Sequence, residues 1–290
     1  MGGIIDKITE FIKELLQGWV LTNFENMFTD VNDKVGTIAG EVSKTPSTWN
    51  SGIFDMIKTL SDNVMIPIAG MIISFVLVYE LISMVIDKNN LHDFNTAIFI
   101  RFFMKACIAV MLLSKTFDIV MAVFDVGSYI VNSAAAAISG ETSIDVSSTL
   151  QTMFNEQFSE MSIGELLGLG METMIVSLCM KIMSVLITVI LYGRMIEIYL
   201  YVSVAPVPCA TVTNREWGTI GTNYFKGLCA LAFQGFFMMV CVAIYAVLVA
   251  GVAVSDNLHT ALWSVAAYTV ILCFSLFKTG SLSKSIWNAH

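Results

Sequence analysis

The chain has 290 residues, is 56% hydrophobic and only 13% charged, and carries a formal net charge of −8, whereas a soluble domain is about 25% charged. Its mean hydropathy of +0.77 and its repeated windows of about 20 apolar residues, the length that crosses ~30 Å of hydrocarbon, exclude an ordinary soluble protein. They define an all-α, polytopic helical membrane protein. The acidic balance excludes a chain that coats nucleic acid unaided, since phosphate binding needs clustered Lys and Arg.

Residues 1–63 form an amphipathic amino-terminal region. Ile4, Ile5, Ile8, Phe11, Ile12, Leu15, Leu16, Trp19 and Val20 fall at helical spacing, with Asp6, Lys7, Glu10, Lys13, Glu14 and Gln17 on the other face. Such a helix is expected on the membrane surface, on a partner or packed on its own protein. Interleaved acids and lysines make it a poor cleavable signal. Phe24, Met27, Phe28, Val31 and Val35 continue the spacing more weakly, and SKTPSTWNSG, 43–52, reads as a loop.

Six spans are predicted, at 64–86, 96–113, 117–138, 173–193, 228–250 and 260–277, with Asp118 and Asp125 weakening the third; if any of the first three fails to span, five remain and the amino terminus faces outward. They fall into two membrane helical groups, 64–138 and 166–290. Between the groups, 139–165 contains five acids and no Lys or Arg, and faces outward by the positive-inside rule. Arg194, Arg215, Lys278 and Lys284 then fall inside, so both termini are expected in the cytoplasm of a multi-pass plasma-membrane protein.

Charged groups inside a bilayer cost about 2.5–3.5 kcal/mol each on insertion scales. At 1.5 Å per residue, Glu80 lies about 24 Å from the inner face and Arg101 about 8 Å from the outer one, which suggests an outer pair. Asp125, Lys105 and Lys181 approach the midplane, which suggests Asp125 paired with Lys105 or Lys181. These five residues either register the bundle or line a polar path.

The apolar run from Leu166 to Val207 would be about 63 Å long as a helix, twice the hydrocarbon thickness. A span at 173–193 buries only Lys181, whereas one at 182–206 centres Arg194 and Glu197, and an i, i+3 pair recovers only about 0.2–0.5 kcal/mol. The earlier register is favoured. Arg194 then sits at the cytoplasmic boundary, Pro206 and Pro208 stop the helix, and Trp217 anchors the return. The apolar stretch Ile198, Tyr199, Tyr201 and Val204 is left to be covered by a neighbouring subunit or ATPase.

No HExxH, GxSxG or Walker A spacing is present, and His92, His259 and His290 lie outside the predicted span interiors. No enzyme activity, cofactor or metal is expected. The six cysteines lie in apolar stretches and read as small buried hydrophobes.

An acidic outward loop (139–165), a long span (173–193), Arg194, a helix ending at Ala205-Pro206, and Trp217 before another span together resemble the TrbL family of conjugal transfer membrane proteins. The closing KTGSLSKSIW, 278–287, resembles its smaller members on conjugative elements of Gram-positive bacteria. The resemblance implies a non-enzymatic channel or scaffold subunit of a type IV secretion machine. It further implies a homo-oligomer in membrane lipid, working with secretion ATPases and other conjugation membrane subunits, and meeting translocated single-stranded DNA or protein transiently. A secondary transporter of a small solute is the alternative, since such sites also use charged residues within spans and broken helices.

Overall fold

A computed structural model of the chain describes residues 2–86, 96–138, 157–158, 161–252 and 257–289. Side chains are described from residue 6 in the first helix and from residue 99 in the fifth. Most of the acidic segment, the loop residues 253–256, His92 and His290 lie outside the described residues. All regular structure among the described residues is helical: α1 (Gly2–Ser43), α2 (Pro46–Trp49), α3 (Ser51–Leu60), α4 (Ile66–Ile86), α5 (Thr96–Ser114), α6 (Thr116–Ile138), α7 (Ile163–Val204), α8 (Pro206–Cys209), α9 (Gly218–Val252) and α10 (Leu258–Ile286). Five stretches among the described residues are long and apolar enough to cross a membrane: Ser51–Ile86, Thr116–Ile138, Ile163–Val204, Gly218–Val252 and Leu258–Ile286. The second span of the six, 96–113, corresponds to α5, which is not among these five.

The boundaries follow local chemistry. Pro46 opens α2 behind a Thr45 capping box, and the Asn50 side chain accepts from the Ile53 amide to start α3. The stretch 43–52, read as a loop, is therefore a pair of capped helix starts. Between α3 and α4 the chain passes through a π-turn, Ser61–Met65, and the Ile66 amide reaches back to the Ser61 carbonyl. Pro67 supplies the reason: it has no amide proton and crowds the carbonyl four residues back, so one wider turn absorbs it. Only Lys115 separates α5 from α6, and its amide still bonds to the Met111 carbonyl at 3.1 Å; a single residue stands where the sequence suggests a loop between two spans. Ser162 and Glu165 cap α7 reciprocally, the Ser162 amide donating to Glu165 Oε2 at 2.8 Å and the Glu165 amide to Ser162 Oγ at 3.3 Å.

The chain forms two compact units. The first comprises Met1–Val42, Asn132–Leu191 and Phe237–Lys278. Here Val20, Phe24, Met27, Phe28, Val31, Val35, Ile38 and Val42 of α1 are all buried, at the three- and four-residue spacing of one helix face. Trp19 lies so close to Gly170 of α7 that a Cβ there would fall 2.0 Å from the indole, and Asn23 donates to Thr173 Oγ1 at 3.0 Å. Beyond Val20, therefore, α1 runs along α7, and the more weakly patterned half is the better buried. Ile8, Phe11 and Leu15, on the strongly amphipathic half, remain more than half exposed.

The second unit comprises Ser43–Val131, Tyr192–Phe236 and Thr279–His290. Its main core gathers Ile57, Phe117, Val120, Phe124, Met195, Ile198, Tyr199, Val202, Ala205, Tyr224, Leu228 and Leu231. A smaller core joins Ala69 and Ile73 of α4, Ala109 and Leu113 of α5, and Ala210 just after α8. Both cores close around the point where α7 ends.

Candidate functional site

Many of the long-range side-chain bonds of the second unit surround the break between α7 and α9. Helix α7 ends at Val204, and Pro206 opens α8 with Ala205 still in the right-handed helical region. The Cys209 amide donates to the Ala205 carbonyl at 3.2 Å. Of the three amides in between, two belong to Pro206 and Pro208, which have no proton to leave unsatisfied. The chain then turns at Asn214, whose Oδ1 accepts from the Glu216 and Trp217 amides at 2.8 and 2.9 Å and so caps α9. The turn sits tightly on that helix: a Cβ at Gly221 would lie 2.7 Å from the Pro208 carbonyl.

Two clamps hold the break. On one side the Tyr199 hydroxyl donates to the Pro46 carbonyl at 2.7 Å. Trp49 meets Tyr192 edge-on at 5.1 Å, and Tyr201 stacks on Tyr224 at 5.7 Å while the Tyr224 hydroxyl donates to the Tyr201 carbonyl at 2.8 Å. On the other side Trp217 stacks on Phe75 and Tyr79 at 5.5 and 5.7 Å, and Tyr79 donates to Glu216 at 2.7 Å. Asn214 Nδ2 donates to Glu80 at 3.3 Å, and the other oxygen of Glu80 takes the Lys105 ammonium.

This geometry revises several expectations. Glu80 pairs with Lys105, not Arg101; the two cations lie one turn apart on α5, a separation of about 6 Å that depth arithmetic does not resolve, and Arg101 is exposed. Asp125 is exposed and pairs with neither Lys105, which Glu80 holds, nor Lys181, which lines a polar cavity in the first unit. Glu80, expected at the outer level, and Asn214, next to the Arg215 expected inside, are hydrogen-bonded, so these two depth expectations do not both hold. Glu197 pairs with Lys284 at 2.7 Å. Arg194 itself is buried, and among the described residues its Nε has no hydrogen-bond partner.

The interface candidates also change character. Ile198 and Tyr199 are 1% and 3% exposed, covered by the chain's own α2–α3 segment and α9; Tyr201 is half-buried, and only Val204 stays open, at 40%. Sequence reasoning missed Asn214 and the Trp217 stack, although an Asn four residues before the helix start at Gly218, ahead of a helical apolar run, is a recognisable capping signal.

The side-chain contacts described around the break hold and position the helix ends. Burial pushes the Cys209 thiol up to about 11, with a Thr116 hydrogen bond acting in the opposite direction, so this cysteine stays protonated and unreactive at neutral pH. All six cysteines are free, and among the described residues no cluster of His, Cys, Asp or Glu is arranged to hold a metal.

Helices of this length and polarity, joined through a proline break clamped by side chains, define a multi-pass helical membrane protein. Residues 31–206, more than half of the chain, match the family model for TrbL/VirB6 plasmid conjugal transfer like protein. The chain belongs to that family, which makes it a membrane component of conjugal transfer. No curated protein and no solved structure matches it.

Proposed function

We propose that the chain is a non-enzymatic channel or scaffold subunit of a conjugative type IV secretion machine, helping DNA and protein across the plasma membrane. The family match over 31–206 carries this reading. That segment ends at Pro206, so it takes in α7 up to its break and the α2–α4 segment packed against it. The subunit works as a homo-oligomer beside secretion ATPases and other conjugation membrane subunits, and contacts single-stranded DNA or protein only in transit. The basic residues Arg194, Arg215, Lys278 and Lys284, which flank the last three predicted spans, favour a cytoplasmic carboxy-terminal end by the positive-inside rule.

Deletion with complementation tests the role: transfer of the conjugative element should fall below detection without the subunit and return with the wild-type chain. Purification in mild detergent should recover an oligomer with an associated ATPase. Normal transfer from the deletion strain would overturn the proposal.

A further inference from the structure

The first unit contains a cavity of about 430 Å³ between α1 and α7. Its α1 wall is polar, with Asp30, Asp33, Lys34 and Thr37; its α7 wall carries Lys181 and Ser184 beside Val185, Ile187 and Leu191. Lys34 is only 7% exposed. Among the described residues it makes no hydrogen bond or ion pair; the carboxylates of Asp30 and Asp33 act on it only through space. Burial holds its ammonium below the ordinary lysine value, and those two carboxylates pull the other way. Lys34 lines this polar volume without a direct bond to either carboxylate, so there is room for a ligand's anionic group to bond to its ammonium directly.

Two features narrow the occupant. The lining carries two carboxylates and two ammonium groups, so it is balanced and suits a ligand bearing both signs more than a simple anion. The cavity also opens beside an apolar surface: Val185 in its own wall is 64% exposed, and Ile182 and Val189 on the same helix are 51% and 61% exposed. A polar recess next to an uncovered apolar track fits an amphiphile, head inward and tails along α7.

We infer that this cavity binds the head of an aminophospholipid of the phosphatidylethanolamine class. The phosphate lies between Lys34 and Lys181 with a Ser184 hydroxyl as donor, and the primary ammonium faces Asp30 and Asp33. Phosphatidylcholine places three methyl groups where the ammonium must donate hydrogen bonds, and phosphatidylglycerol has no cation for the carboxylates.

The test uses the full chain purified in mild detergent and exchanged into nanodiscs containing equal parts of the three lipids, with retained lipid measured by native mass spectrometry. Phosphatidylethanolamine should be retained in preference, at about one per chain. Soluble glycerophosphoethanolamine should compete at high concentration, which distinguishes recognition of the head from adhesion of the tails. Lys34→Met and Asp33→Asn should each lower retention about tenfold, the size expected for one charge-assisted hydrogen bond, and Lys34→Arg should keep most of it. Circular dichroism and gel filtration check that each variant is folded. Equal retention of the three lipids, or unchanged retention in folded Lys34→Met, overturns the assignment.

Discussion

At the scale of single residues, Glu80 shows how a buried charge is kept. Its carboxylate is shared between Lys105 and Asn214. Lys105→Met would strand it and is expected to cost about 1–3 kcal/mol, discounted because the lysine side chain is 42% exposed. The double replacement Glu80→Met with Lys105→Met should recover most of that loss, read as the melting temperature in detergent. Asn214→Ala removes the cap on the Glu216 and Trp217 amides and should cost about 1–2 kcal/mol. Asn214→Asp keeps the cap but sets a second carboxylate beside Glu80, so it should be worse than alanine at neutral pH. Arg194 behaves differently: its Nε has no hydrogen-bond partner among the described residues, so Arg194→Met should leave stability equal or higher. A clear loss of melting temperature in that variant would reveal a partner for the guanidinium.

At the scale of elements, most helices were legible because apolar length and proline are strong signals. The overlong α7 ends at Val204 against Ala205-Pro206, as the residues suggested. Its start was equally readable in hindsight, since Ser162-Ile163-Gly164-Glu165 is a capping-box pattern; Ser162→Ala should loosen the first turn by about 1 kcal/mol, visible as faster amide exchange there. What the sequence could not supply is which helix faces which. Periodicity shows that Val20 to Val42 form a stripe, but the partner of that stripe follows from Gly170 leaving room for Trp19. Gly170→Ala should therefore destabilise by about 1–3 kcal/mol through overpacking, and Trp19→Leu in the same chain should relieve part of it. Pairings such as Glu80 with Lys105 were hidden for the same reason: one turn of α5 separates the right cation from the wrong one.

At the scale of the whole molecule, the family assignment and the fold agree on a membrane component, while the break site moves from an expected docking surface to an internal joint. For a docking surface, a charged replacement of Tyr199 and Tyr201 would impair assembly and leave membrane insertion intact. With Tyr199 3% exposed and bonded to Pro46, the same change should disorder the second unit itself. The purified protein alone should then show a broadened gel-filtration peak and a lost thermal transition. A well-folded Tyr199→Asp chain that fails only in transfer would return the face to the role of an intersubunit contact.

The second unit is assembled from distant parts of the chain, and this sets an order of events during synthesis. Pro46 waits for Tyr199, Glu80 for Asn214, Glu197 for Lys284, and the Ala230 carbonyl for the Ser283 hydroxyl. At about 5–20 residues per second, the amino-terminal helices spend on the order of ten seconds or more in the membrane before the residues that complete their core exist. A chain halted before α10 would expose Glu197 and Gln234 without their partners and present itself to quality-control proteases as unfinished.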